Sequence, residues 1–186
     1  MQDELNIETD RLVLRPMELS DENDLLEYQS DLQTVTYIPW PARTREQVRE
    51  AMSKAIAATS FENENDYKLF VWVLKDGGKV IGQSNISIKS KLHQRAEIGW
   101  VINPKFAGRG YALEATKAVI DLVFSELGFR RVVAYMDQRN TKSVNIAKKL
   151  GMRLEASYIE DEFFKDEWSS AHLFALLKSE WKGKNA

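Results

Sequence analysis

Apolar positions recur along this chain in two rhythms, and each change of rhythm marks an element. Leu12 and Leu14 alternate with polar or mixed neighbours, so residues 11–15 read as a first strand. Ser20 then stands as the cap of a helix running through Tyr28, with Asp21, Glu22 and Asp24 in its acidic first turn. Two prolines forbid regular structure in Tyr37-Ile38-Pro39-Trp40-Pro41. Thr44-Arg45-Glu46-Gln47 forms a capping box, and the helix behind it extends to Ala58. Alternation resumes from Tyr67 to Lys75, turns at Asp76-Gly77-Gly78, and returns from Lys79 to Lys89 with a break expected at Gly82. A fourth strand covers Gln94 to Ile102. Ala112, Ala115, Val119, Leu122 and Val123 lie on one helical stripe, which Gly128 ends. Arg131 to Asp137 is a short strand, Asn140 to Leu150 a helix closed by Gly151, and Met152–Phe164 and Trp168–Leu177 the last two strands.

The order is thus strand, two helices, three strands, helix, strand, helix, two strands. Such alternation predicts a layered α/β (α+β) protein with a mixed sheet. The 186 residues suit one domain, with a core over residues 8–178 and a polar, frayed tail from 179 to 186.

Composition removes several function classes. The net charge of −2 gives no broad basic surface for nucleic acid. No apolar run approaches the roughly 18 residues of a membrane span, and the acidic start is unlike a secretory leader, so a cytoplasmic location is expected. The absence of cysteine excludes disulfides, thiolate metal sites and a cysteine-linked acyl intermediate. His93, in a polar turn, and His172, in the last strand, are the only histidines, too few for a histidine-based metal centre or a catalytic triad.

Candidate chemistry concentrates in Ala96–Ala112, AEIGWVINPKFAGRGYA. The strand runs out at Pro104, Gly108 and Gly110 flank Arg109, and a helix begins at once. Backbone N–H groups in such a loop can point at an anion, and the helix N-terminus adds partial positive charge. The residues admit two readings, a phosphate-bearing cofactor or a turn whose glycines serve only the turn. The loop lacks the Gly-Lys-Ser/Thr of a Walker motif and the three-glycine spacing of a Rossmann fingerprint.

Lys105-Phe106-Ala107-Gly108-Arg109-Gly110 resembles the pyrophosphate loop of the GNAT superfamily of acyl-CoA N-acyltransferases, Gln/Arg-x-x-Gly-x-Gly/Ala, with Lys105 departing at the first position. Asn140 to Met152 resembles that superfamily's Asn-x-x-Ala-x-x-x-Tyr-x-x-x-Gly-Phe helix, with Ser143 in place of alanine and Ala147 in place of the tyrosine that protonates the leaving thiolate. In these departures, in Glu8-Thr9-Asp10-Arg11-Leu12-Val13-Leu14-Arg15-Pro16 and in Ala96-Glu97-Ile98-Gly99-Trp100, the chain is similar to the RimJ/RimL-type branch, which acetylates ribosomal-protein N-termini. The resemblance implies a seven-stranded, mostly antiparallel sheet splayed between its fourth and fifth strands, with four helices. It also implies acetyl-CoA bound by Val101, Ile102, Gly108, Arg109, Gly110, Tyr111, Ala112 and Asn140. Asn140 reads equally as a helix cap.

An acetyl transfer to an amine requires a neutral amine, a stabilised carbonyl oxygen and a proton for the thiolate. Without cysteine, direct attack in a ternary complex is expected. Strand alternation puts Glu97, Gly99 and Val101 on one face. Glu97 is the candidate base, or else the partner of a surface Lys or Arg. Ser143 is the candidate acid. Glu162, in the acidic group Glu160, Asp161, Glu162 and Asp166, is the alternative base. Tyr37 and Trp40 fall where the family builds its acceptor wall, or else in the core. The acceptor expected first is a protein N-terminal α-amine. A small amine (polyamine, amino sugar or antibiotic) is second and a non-catalytic acyl-CoA sensor third. No metal is expected, and the family reading leaves room for a homodimer.

Overall fold

The computed structural model describes residues 5–181. In chain order its elements are β1 (Ile7–Glu8), β2 (Leu12–Pro16), α1 (Glu22–Gln29), α2 (Leu32–Val35), α3 (Arg45–Ala57), β3 (Tyr67–Leu74), β4 (Val80–Ser90), β5 (Arg95–Ile102), α4 (Tyr111–Ser125), β6 (Arg131–Asp137), α5 (Thr141–Lys149), β7 (Arg153–Phe164) and β8 (Glu167–Leu177). The strands form one sheet in the order β1-β2-β3-β4-β5-β6-β8-β7. Every neighbouring pair is antiparallel except β5 and β6.

Helices cover both faces of the sheet. On one, the stripe Ala112, Ala115, Val119, Leu122 and Val123 of α4 packs with Ala147 of α5 onto Leu12, Leu14, Phe70, Trp72, Ile86, Ala96 and Ile98. On the other, Leu25 and Tyr28 of α1 and Val48 and Met52 of α3 pack onto Val71 and Val80. Removing such side chains from water is the main favourable term in folding, about 25 cal/mol per Å² of apolar surface.

The architecture is the one expected, with local differences. The sheet has eight strands among the described residues, not seven, because Ile7 and Glu8 pair with Leu14 and Val13. The fifth helix is the single turn α2, capped by the Asp31 side chain on the Thr34 N–H at 2.8 Å. Ser20 is not a cap. It lies inside a 3-10 turn, Leu19–Asp21, entered through Glu18, whose N–H donates to Asp21 at 2.8 Å. Asp21 is buried and takes the Arg15 guanidinium as partner. Gly82 does not break β4. A Cβ there would meet the Trp72 ring at 2.4 Å, so glycine lets the indole lie across the strand, and the register shifts one step along β3. The tail is not frayed at its start. The Trp181 indole N–H donates to Asp121 at 2.7 Å and Glu180 accepts from the Leu177 N–H. Residues 182–186 of that tail lie outside the described residues.

Candidate active site

The site begins where the sheet opens. β5 and β6 pair only from Arg95↔Arg131 to Glu97↔Val133. Beyond that point the β6-facing edge of β5 has no strand partner, and its backbone polar groups face a gap. Four residues beyond Ile102 run through a 3-10 turn, Pro104–Phe106, in which Asn103 caps Lys105. The chain then reaches Gly108 and Gly110, both in the left-handed region at φ 79° and 85°. Gly110 is the N-cap of α4. A Cβ there would be both strained and 3.3 Å from the Arg11 guanidinium. The backbone N–H groups from Gly108 to Ala112 find no protein acceptor among the described residues. This cradle of free donors at the head of a 15-residue helix fits a pyrophosphate.

The loop is fixed from outside. Arg11 donates to the Arg109 carbonyl at 2.9 Å, pairs with Glu114 and lies 4.3 Å over the Tyr111 ring. Arg109 itself is exposed, 5.7 Å over Phe106. Lys105, the departing residue, is bound to Glu27 at 2.6 Å, which also holds Lys79. These ammonium groups, Lys105 first, hold the Glu27 carboxyl at about 2. The charge of Lys105 is thus already matched within the protein.

On the α1/α3 side of the gap lies a cavity of about 550 Å³, within the range of small-ligand sites. Glu97, Gly99, Val101, Tyr37, Trp40, Asn140 and Ser143 all line it. Asn140 accepts from the Ser143 N–H at 3.1 Å, so it caps α5. The Ser143 hydroxyl makes no hydrogen bond among the described residues. Ala147, one turn further along, is fully buried within the α4 side of the core. Glu97 is half-buried and lies 3.6 Å from the Lys89 ammonium. The room that Gly99 leaves beside it is taken by the Asn85 side chain, whose amide oxygen a Cβ at that position would meet at 2.4 Å.

Glu162 is not brought into this group. It is exposed on β7 opposite Ser169, and the lining of the cavity contains none of Glu160, Asp161, Glu162 and Asp166. Of these acidic residues, Asp161 touches the lining, accepting from the Tyr135 hydroxyl. Burial and the neighbouring carboxylates push the Tyr135 phenol upward. Tyr37 and Trp40 belong to the wall, but their ring faces carry arginines: Arg139 lies 5.5 Å over Tyr37, and Arg43 lies 4.5 Å over Trp40.

Sequence reasoning missed the polar floor. Gln83 accepts from the Tyr28 hydroxyl and from the Gln29 amide, each at 2.9 Å, and Gln29 in turn accepts from Arg43 at 2.7 Å. Arg43, Gln29, Gln83 and Asn85 line the cavity from a loop, a helix and a strand. The visible signal was polar residues at Gln83 and Asn85 within an apolar strand pattern. Three buried donors lack a partner among the described residues: the indole N–H groups of Trp40 and Trp100, residues that line the cavity, and the Asn103 amide.

An opened sheet, a glycine cradle at a helix head and a cavity on the same opening suit a transferase that draws on a phosphate-bearing cofactor. Residues 11–153 match the acetyltransferase (GNAT) domain, and the chain belongs to that family of N-acetyltransferases. It is 32% identical over 177 residues to the uncharacterized N-acetyltransferase YnaD of Bacillus subtilis (strain 168), covering 95% of this chain and 99% of that one. The crystal structure of the GNAT-family acetyltransferase from Bacillus anthracis superposes with a TM-score of 0.86 at 31% identity, over 95% of this chain and 100% of the other. The fold is also shared, at a TM-score of 0.78 and 20% identity, with the crystal structure of spermidine N-acetyltransferase from Vibrio cholerae in complex with CoA and spermine, over 92% of this chain and 98% of that one.

Proposed function

We propose that this protein transfers the acetyl group of acetyl-CoA to a primary amine by direct attack in a ternary complex, with Glu97 accepting the amine proton and Ser143 donating to the departing thiolate. The observation that carries this reading is that the two side chains line one cavity at the opening between β5 and β6. Bound acetyl-CoA supplies the activated acetyl group. Gly108 to Ala112 offer backbone donors to its pyrophosphate, Val101 and Ile102 offer the free edge of β5 to its arm, and Asn140 closes the far side. Glu97 takes a proton from the incoming ammonium or amine, directly or through one water, with the Lys89 ammonium 3.6 Å away.

For the acceptor, the reading placed first is a protein N-terminal α-amine, supported by the likeness of the opening segment and of Ala96–Trp100 to the RimJ/RimL-type branch. Its low intrinsic pKa, near 8, suits a weakly basic carboxylate. A small amine is the second reading. It is favoured by the walls of the cavity, which the 37–43 segment encloses, and by the spermine-bound neighbour of like fold. Thiol release from acetyl-CoA, measured with a panel of peptides and small amines, tests the reaction, and mass spectrometry of cellular protein N-termini with and without the protein tests the first acceptor. Binding of acetyl-CoA with no thiol release on any amine would leave only a sensor.

A further inference from the structure

Among the described residues, arginines fall into two groups. Arg11, Arg15, Arg45, Arg49, Arg131, Arg139 and Arg153 pair with carboxylates. Arg95, Arg109 and Arg130 do not, and are exposed to water. Arg43 fits neither group. It is partly buried on the cavity wall, with no carboxylate partner among the described residues. Its one side-chain hydrogen bond goes to a neutral amide, Gln29.

A guanidinium carries five donors, and a desolvated one left unmatched is costly. The surroundings hold this one in place. Its own N–H donates to the Gln29 carbonyl at 2.9 Å. Gln29 is 2% exposed and anchored to Gln83, and the guanidinium rests on the Trp40 ring. Trp40 lines the same cavity, and its indole N–H is buried and lacks an acceptor among the described residues. Charge in the lining is matched except at Arg43, Lys54 being paired with Glu50. Its charged residues are Arg43, Lys54 and Glu97, and Glu97 already faces Lys89.

We propose that the acceptor amine carries a carboxylate, which Arg43 and the Trp40 indole N–H receive. This rests on the reading that the cavity holds the amine to be acetylated. A planar fork matches a carboxylate, whereas a phosphate dianion calls for further free cations and Lys54 is tied to Glu50. A polyamine would set like charge against Arg43. The carboxylate can belong to a free amino acid or to an acidic residue heading a peptide N-terminus.

The test compares 4-aminobutyrate with its amide, a tetrapeptide starting with Asp with one starting with Asn, and spermidine. The acids should show a KM lower by about tenfold or more than their amides, since charged hydrogen bonds contribute that much. A preference confined to the peptides identifies the acidic N-terminus as the source, and one confined to 4-aminobutyrate identifies a free acid. Arg43→Gln should erase the preference, and Trp40→Phe, which keeps the ring, should reduce it. Equal use of acid and amide, or a preference for spermidine, overturns the proposal. Binding is read separately with glutarate, which has no amine. It should raise the Tm of the wild type and not of Arg43→Gln, with Arg43→Lys as the charge-retaining control. Glutarate binding without thiol release on any amine leaves this carboxylate site standing while the transferase reading fails. Amine turnover with no glutarate effect fails the proposal alone.

Discussion

The two halves of the site are built by opposite means. The cradle proposed for the cofactor is one continuous stretch, Asn103 to Ala112, built from backbone: two left-handed glycines and the head of α4. The acceptor cavity takes side chains from α1, the 37–43 segment, α3, β3, β4, β5, β6 and α5, and works through their tips. The cradle therefore tolerates changes of side chain and not of backbone conformation. The cavity tolerates local backbone change poorly only where a side chain is displaced, and a new acceptor needs only new tips.

The strongest way to probe this contrast is Glu97→Gln. Loss of a general base commonly costs about 100-fold or more in rate. The variant is expected to lose kcat to that extent while calorimetry shows normal acetyl-CoA binding. If Glu162→Gln shows the loss instead, the proton acceptor belongs to the exposed hairpin. Next in size is Gly110→Val. A β-branched residue at φ 85° should weaken CoA binding by about tenfold or more. Gly77→Val, equally left-handed but in open space at the β3–β4 turn, should lower Tm without touching CoA affinity. A matching loss of CoA affinity in both variants would mean that general destabilisation, not the cradle, is being read.

Trp40→Ala should raise KM for the amine by about three- to tenfold, the scale of a lost cation–π or hydrogen-bond contact, and leave KM for acetyl-CoA unchanged. A large fall in Tm with parallel loss of both affinities would make Trp40 a core residue. Asn140→Ala removes a helix cap worth about 1 kcal/mol. It should lower Tm by about 2–4 °C in a chain of this size. The smallest effect concerns Glu27, whose folded carboxyl sits at about 2 against an ordinary 4.5. A depressed carboxyl stabilises fully above its unfolded value, and that contribution is lost as pH falls from 4.5 toward 2. Urea midpoints over that window should fall less steeply for Glu27→Gln than for the wild type.

The cradle was legible because its signals are adjacent: a strand ending at a proline, glycines at fixed offsets, and an apolar helical stripe. The Thr44 capping box was legible for the same reason, with Gln47 returning to the Thr44 N–H at 2.9 Å. The opening of the sheet came from family likeness, since no periodicity marks where two parallel strands part. β1 and α2 are too short to show a period. Trp181 stood as one aromatic in a polar tail, and only Asp121, far away in sequence, decides that it docks. Nothing in the sequence around Arg43 marks it out, because its setting depends on Gln29 and Gln83 beneath it. The parts of the site that were hidden are those whose meaning lies in partners across the fold.

One contact has a temporal consequence. The Lys165 ammonium, at the turn between β7 and β8, donates to the carbonyls of Val35 and Thr36, 130 and 129 positions earlier in the chain. Closing so long a loop costs more chain entropy than any neighbouring-strand contact in the sheet. The wall that carries Tyr37 and Trp40 is thus tied to the turn of a hairpin far away in sequence. Brief openings there, seen as faster amide exchange over residues 34–38 than in the β3–β4–β5 meander, would admit an acceptor while the cofactor cradle stays closed and intact.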